Sequence, residues 1–552
     1  MTSEPVRRKL LLAAILTIPA LAAPPAVERW DTHELVFHSA RKYANPFRDV
    51  SLKATFWQAG GRRIPVDAFY EGDTTWRVRF LPLELGRWEY VTESNDPALD
   101  GKRGALDCIA PRKPFLHGPL RASGFHFQHA DGSRRFLIST RLSCQFADAS
   151  ILPGLMETLR QDSVNRVLFM IGGNAGQTGQ LYGAGGEDLW RYDVERFRAV
   201  DRFVDALRRA DIIASPYLYY FNDRLQRRLT PEQDRAFIRY VAARLGAYGN
   251  VMLVLSNEVE QKYSERSGQY DPRSLEWANE MGTLLKSLAV FGEPVGVHDP
   301  MEAFSARNPG FFTMLKQWPF PWTDFQLRQM QIGSLGAATK LADDVSEPAD
   351  PSFSARAYAR QNELLIGLRH YHVPIVNEEP GYEMDGTRSW NSQTSVSVRA
   401  TFWSAATAGA YAMWGNPGTY AAGDPVPFLR RSHVPGHLKT LAAVMARVPY
   451  WEMTPANELV NANPVRIENE EYRRNFALAK PGSSYLVYAR DGGAVEITVE
   501  SGQYDLEVTR LGDVPPATPL KQYPGSISPS EGTVRLHTGS GEDWVIVLTR
   551  HR

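Results

Sequence analysis

Between residues 113 and 450, short apolar runs alternate with segments of helical periodicity, and this rhythm limits the possible folds more than any other feature of the chain. "RFLIST" (135–140) precedes "ILPGLMETLRQ" (151–161). "NRVLFMIGG" precedes Val194, Phe197, Val200, Val204 and Leu207, which share one helical face. "IIASPYLYYF" leads to a helix whose start is legible. Thr230 can cap it, Pro231 suits the first turn, and Gln233 completes a capping box, with Gly249 marking the expected end. "VMLVLSNE", "EPVGVHDP", "DFQLRQM", "VPIVNEEP" and "AGAYAMWGN" supply the remaining strands. Eight apolar strands alternating with helices predict an α/β fold of the (β/α)8 TIM-barrel type. A doubly wound open sheet competes, but it would want a glycine-rich nucleotide turn after its first strand. "ISTRLS" is not one. "GGNAGQTGQLYGAGGED" after the second strand has neither dinucleotide nor P-loop spacing and reads as a long mobile loop over an active face.

The flanks follow a different period. From 27 to 112, Trp76, Val78 and Phe80 alternate with Thr75, Arg77 and Arg79, and Trp88, Tyr90 and Thr92 with Glu89 and Val91. Period two with Gly and Asp between runs predicts an immunoglobulin-like β-sandwich. From 451 to 552 the alternation returns in Tyr485, Val487 and Ala489 and in Tyr504, Leu506 and Val508, and "DWVIVLTR" closes a second sandwich.

Residues 1–22 read as an export signal. Arg7, Arg8 and Lys9 precede a 12-residue apolar run, Leu10–Leu21, and Ala20-Leu21-Ala22 has the small-x-small cleavage pattern. The run is too short for a good transmembrane helix. The expectation is a periplasmic or secreted protein with no membrane insertion once the signal is removed. Lys+Arg and Asp+Glu are 62 each, so nothing favours nucleic acid or an anionic membrane as partner. Of the two cysteines, Cys108 and Cys144, the compartment would permit a bond; two buried thiols are the alternative. No His/Cys/Asp cluster has metal-ligand spacing, and no cofactor is expected. The Arg-rich run "RLQRR" (224–228) reads as a solvated face, and Asp299 and Asp324 as turn caps.

In such a barrel the functional groups sit at the C-terminal ends of the strands. The fourth strand runs straight into Asn257-Glu258, and the seventh into Glu378-Glu379. Two carboxylates facing each other over a barrel mouth are what glycoside hydrolysis requires. One is protonated and serves the leaving oxygen; the other attacks the anomeric carbon. Asn257 beside the acid can hydrogen-bond a sugar hydroxyl next to the reacting carbon.

These residues resemble the clan A glycoside hydrolases. Within that clan, "EEPGYE" (378–383) resembles the Gly-Glu-Pro-x-Tyr-Glu segment of the apiosidase-like barrels, "WTDFQLRQ" their sixth strand and "GAYAMWGN" their eighth. "FYEGDTTWRVRFLPLELGRWEY" is similar to a sandwich that often precedes these barrels, and the tail with "DWVIVL" is similar to their collagen-binding-type domain. The resemblance implies Glu258 as acid/base and Glu379 as nucleophile. Glu378 is the rival for the second role, because neighbours on a strand face opposite ways. The family segment and the step from Pro374 favour Glu379. Arg141, His298, Gln329, Tyr382 and Trp414 are the further substrate-binding candidates. One departure stands out: the family's first strand usually ends in Gly-Asp-Thr-x-Trp, whereas here it reads "ISTRLSCQF", with Arg141 in place of small polar residues.

The implied activity is retaining hydrolysis of a plant or microbial glycan or oligosaccharide, with a carbohydrate as partner and a homo-oligomer as an open possibility. A carbohydrate-binding protein on a degenerate barrel, and a transglycosylase using the same carboxylates, are the alternatives.

Overall fold

The computed structural model describes residues 23–143, 148–172, 178–264, 271–301, 320–336, 351–383, 392–421, 423–467, 469–512, 525–527 and 532–551. The expected signal segment 1–22 and Cys144 lie outside them.

Eight parallel strands close into a barrel. They are β1 (Ser139–Leu142), β2 (Arg166–Met170), β3 (Ile213–Tyr220), β4 (Leu253–Asn257), β5 (Val295–Met301), β6 (Phe325–Gln329), β7 (Ile375–Asn377) and β8 (Tyr411–Trp414). Closure is made by β8 pairing with β1, Met413 opposite Ser139 and Trp414 opposite Thr140. The continuous apolar runs are explained by burial on both faces, barrel interior and helix layer. The described helices of that layer are α1 (Leu152–Gln161), α2 (Val194–Arg209), α3 (Pro231–Leu245), α4 (Pro272–Leu288), α5 (Pro351–Leu368), α6 (Ser395–Thr407) and α7 (Val434–Met445). The capping box at Thr230 and Gln233 forms as expected, with Thr230 Oγ1 accepting from the Gln233 N–H and Gln233 Oε1 from the Thr230 N–H. The helix stops at Leu245 with Gly246 as its C-cap, earlier than Gly249.

The N-terminal region forms a five-stranded and a three-stranded sheet. Trp76, Val78 and Phe80 are buried, as their alternation predicts. Arg79, on the alternate face, is buried too. That face lies against the barrel, where the Arg79 guanidinium makes a two-point contact with Asp201 of α2 at 2.9 and 2.8 Å and donates to the Arg244 carbonyl of α3. Arg244 also pairs with Asp201 and with Glu71 of the sandwich. A buried ion network therefore bolts the first domain to two barrel helices. Cys108, in this domain, is a buried free thiol.

At the other end a six-stranded sheet, with two short two-stranded ones, is joined to α6 through Arg399, which pairs with Asp543 at 2.9 Å. Of the glycine-rich segment after β2, the described part includes a small hairpin, Tyr182–Gly183 with Asp188–Tyr192. Tyr182 and Tyr192 pack on Phe237 of α3. This half of the expected mobile loop is thus anchored by aromatic packing. Among the described residues no helix is long and apolar enough to cross a membrane.

Candidate active site

Asn257 is the last residue of β4, and Glu258 turns out of it with φ 39°, ψ 65°. For a residue with a Cβ this left-handed conformation costs roughly 1–2 kcal/mol. Two contacts hold it. The Glu258 N–H donates to His298 Nδ1 on β5 at 3.3 Å, and the Gln261 N–H donates to the Glu258 carbonyl at 3.0 Å, closing a short 3-10 turn. The turn aims the carboxyl into the barrel mouth, where it is nearly buried. Its Oε2 accepts from Asn257 Nδ2 at 3.0 Å and from Gln261 Nε2 at 2.9 Å. Burial first, and the neighbouring Glu379 carboxylate second, push the Glu258 carboxyl up to about 7, against hydrogen bonds from Asn222 and Gln329 and the field of Arg141.

Glu378 and Glu379 follow β7 directly and diverge. Glu378, 1% exposed, points into the barrel interior. There the Arg166 guanidinium at the base of β2 grips both its oxygens at 2.8 and 2.9 Å, while Arg166 Nε donates to Ser215 on β3. Glu379 points into the mouth. Arg141 Nη1 donates to its Oε2 at 3.1 Å, and the Tyr382 hydroxyl donates to its Oε1 at 2.8 Å. Arg141 Nη1 also reaches the Tyr382 hydroxyl at 2.9 Å. The Tyr382 proton is committed to Glu379, so the Tyr420 hydroxyl, 2.8 Å away, is the donor in that contact. Burial above all holds the Tyr382 phenol well above its ordinary range, so it stays a donor.

The loop after β8 positions both partners. Gly415 lies so close to Gly381 and Tyr382 that an added Cβ would meet the Gly381 carbonyl oxygen at 2.3 Å. Only glycine lets the backbone of Tyr382 pass here. Asn416 Nδ2 and Thr419 Oγ1 both donate to the Arg141 carbonyl, at 2.7 and 3.1 Å.

Of the residues picked out in the sequence, Glu258, Asn257, His298, Gln329, Glu379, Tyr382 and Arg141 converge on this mouth. His298 is buried without exposed surface. Burial, then the Arg141 and Arg328 cations, push its imidazole down to about 3, so it is neutral. Since Nδ1 accepts, the proton sits on Nε2, which has no hydrogen-bond partner among the described residues. Trp414 departs from expectation. Its ring is 0% exposed and its indole N–H donates to Glu383 Oε2 at 3.0 Å, so as it lies it braces β8 and offers a sugar no face. Asp324 does tie down a turn, accepting from the Val295 N–H and pairing with Lys286.

The run "RLQRR" also departs. Arg224 and Arg228 are exposed, but Gln226 is buried and Arg227 folds inward, donating from Nη2 to Gln261 Oε1 at 2.7 Å. Gln261, Tyr420 and Arg166 were not singled out in the sequence, and Arg227 was read there only as part of a solvated face. Gln261 alone had a local signal, three residues beyond Glu258 and so on the same side of a helical turn.

The closed parallel barrel, which carries glutamates at the ends of its fourth and seventh strands, is of the glycoside hydrolase class. Residues 163–425 match the family described as "Apiosidase-like, catalytic domain". Residues 26–95 match "Domain of unknown function (DUF5060)". Among solved structures, a provisionally assigned glycoside hydrolase from Bacteroides vulgatus ATCC 8482 superposes with a TM-score of 0.72 at 19% identity, covering 96% of this chain and 100% of its own. A glycoside hydrolase family 5 protein from the same organism gives 0.58 at 14% identity, covering 80% and 95%. Identities this low speak to the fold. No curated protein matches the sequence significantly.

Proposed function

We propose that this protein is an exported retaining glycosidase acting on a plant or microbial glycan or oligosaccharide, with Glu258 as acid/base and Glu379 as nucleophile. The observation that carries this reading is the unequal pair at the mouth. Burial and a neighbouring carboxylate favour the protonated form of Glu258, whereas Glu379 accepts charge-assisted and phenolic hydrogen bonds on both oxygens. Environments that drive two carboxyls apart assign acid and nucleophile. Glu378 is excluded from the second role on this reading because both its oxygens are occupied by Arg166 inside the barrel.

In the first step Glu258 gives its proton to the glycosidic oxygen as the bond to the anomeric carbon breaks. Glu379 forms an ester to that carbon on the opposite face. In the second, Glu258, now a carboxylate, takes a proton from water. The water oxygen attacks the anomeric carbon and Glu379 leaves as carboxylate. Asn257 Oδ1, buried and without a partner among the described residues, suits a hydroxyl on the carbon next to the reaction centre. His298 Nε2–H suits a second substrate hydroxyl. Export rests on the basic and apolar amino-terminal segment.

The test is a panel of dinitrophenyl 2-deoxy-2-fluoroglycosides, whose electron-poor sugars form the ester readily but hydrolyse it slowly. A stable mass adduct on the peptide carrying Glu379, absent in Glu379→Gln, is expected. An adduct on Glu378, or turnover of natural glycan by Glu258→Gln at full rate, overturns the assignment.

A further inference from the structure

The acid is held by more than its immediate neighbours. Both hydrogen bonds that Glu258 accepts from Asn257 and Gln261 go to the same oxygen, Oε2. A neutral carboxyl has one hydroxyl oxygen and one carbonyl oxygen, and amide N–H donors belong on the carbonyl one. For Gln261 the direction of the amide is not free. Its Oε1 accepts from Arg227 Nη2 at 2.7 Å, and a guanidinium has only donors, so the Gln261 NH2 group must face Glu258.

Arg227 is itself fixed. Its Nη1 donates to the Ser264 carbonyl at 2.8 Å and its Nε to the Phe221 carbonyl. The segment carrying Arg227 is pinned to the turn carrying Gln261 by Lys262, whose ammonium donates to the Gln226 and Leu229 carbonyls and to Asp234. Gln261 and Lys262 are each 1% exposed.

Resting on the reading of Glu258 as the acid, we propose that Gln261, oriented by Arg227, is a positioning residue that makes Oε2 the carbonyl oxygen of Glu258 and confines the transferable proton to Oε1. An acid with two equivalent oxygens would spend part of its time with the proton turned away from the leaving group. Locking one oxygen as acceptor leaves a single donor direction. A chain of one guanidinium, one amide and one carboxyl thus converts a loop after β3 into a setting device for the residue that follows β4.

The direct readout is the acid C=O vibration of Glu258, isolated as the infrared difference between wild type and Glu258→Gln at pH 5.5. A carbonyl that loses a hydrogen-bond donor vibrates at higher wavenumber. In Gln261→Met the band should move up. In Arg227→Met, which does not touch Glu258, it should move the same way by less. A band that stays in place in both variants, with wild-type circular dichroism, overturns the proposal. If Gln261→Met fails to fold, Arg227→Met decides alone.

The kinetic arm uses aryl glycosides of graded leaving group. Gln261→Met should lose roughly tenfold in kcat/KM on poor leaving groups and little on dinitrophenyl ones. Removing a donor to the carboxylate should also raise the alkaline limb by about one pH unit. Among the described residues the titratable groups facing Glu258 are Glu379, Arg141, Tyr220, His298 and Arg227, and Arg227 is hydrogen-bonded to Gln261. A Gln261→Met enzyme with wild-type leaving-group dependence refutes the positioning role. Full activity of Glu258→Gln on poor leaving groups would instead sink the acid assignment, whatever the band does.

Discussion

Replacing Glu379 with Gln should lower the pKa of Glu258, and by an amount that can be worked out beforehand. The Glu379 carboxylate is the second cause, after burial, of the rise of Glu258 to about 7. At the roughly 5–5.5 Å separation of retaining pairs, two unit charges in an effective dielectric of about 20 repel by roughly 3 kcal/mol. That is equivalent to about two pKa units. Arg141 already offsets part of this in the wild type, so the expected fall is about 1–2 units. Burial remains, so Glu258 should stay above its ordinary 4.5. The variant is more than a charge deletion. A neutral amide at position 379 stands in for the neutral ester of the glycosyl-enzyme, so the measured fall is the switch that turns Glu258 from acid into base between the two steps. The assay is the titration of the Glu258 carboxyl by carbon NMR in glutamate-labelled protein, assigned by loss of the signal in Glu258→Gln. An unchanged pKa in Glu379→Gln would show that the two charges do not feel each other, and the unequal-pair argument would fail. A wild-type pKa near 4.5 would show the same of the burial argument.

On any substrate that is turned over, kcat/KM should fall as pH rises through about 7, because the acid is competent only while protonated. A rate flat from pH 6 to 9 contradicts this. Glu378→Gln removes the partner of a guanidinium with no exposed surface and should cost roughly 3–5 kcal/mol, read as a lower Tm. Replacing both Arg166 and Glu378 with apolar residues should recover much of that loss. Glu293, in the turn before β5, is pushed up to about 8, mainly by burial. Its folded form therefore binds more protons than the unfolded chain between about pH 4.5 and 8, and stability is lost as pH rises through that window. Glu293→Gln should remove the loss and gain roughly 3–5 kcal/mol at pH 9 with little change at pH 4, seen as a Tm difference that opens with pH.

The barrel was legible because burial on both faces writes itself into composition. "VMLVLS" and "VPIVN" can be little else when helical segments separate them. The pair proposed as catalytic stood out for a related reason: Asn257-Glu258 and Glu378-Glu379 are polar residues placed where an apolar run stops. The choice between Glu378 and Glu379 was not settled by strand alternation alone. It turns on Arg166, 212 positions away in the chain, which claims one of the two. Trp414 was misleading because an aromatic at a strand end reads alike whether it faces a ligand or Glu383. Arg227 was misread because a run of arginines suggests solvent. Its inward turn is dictated by three acceptors, the Phe221 and Ser264 carbonyls and Gln261 Oε1, that only the folded loop assembles. Local pattern reports which side of a strand is buried. It does not report which distant partner fills a given hydrogen-bond valence.

The arginine at the end of β1, the clearest departure from the family's usual first strand, has a physical rationale once the charges are followed through the proposed cycle. Before reaction Glu258 is neutral and Glu379 charged, and Arg141 sits 3.1 Å from the latter. In the glycosyl-enzyme Glu379 is a neutral ester and Glu258 carries the charge, and Arg141 is near enough to act on Glu258 as well. The mouth therefore holds one negative and one positive charge in both states. A buried charge is tolerated only when compensated. A single fixed cation shared by the two carboxyls supplies that compensation without reorganising between steps, which is the condition under which electrostatic stabilisation lowers a barrier most. Glu378 cannot interfere, since Arg166 neutralises it below. Two consecutive glutamates at one strand end are compatible with function because β1 and β2 each provide one arginine, and the two pairs stay separate.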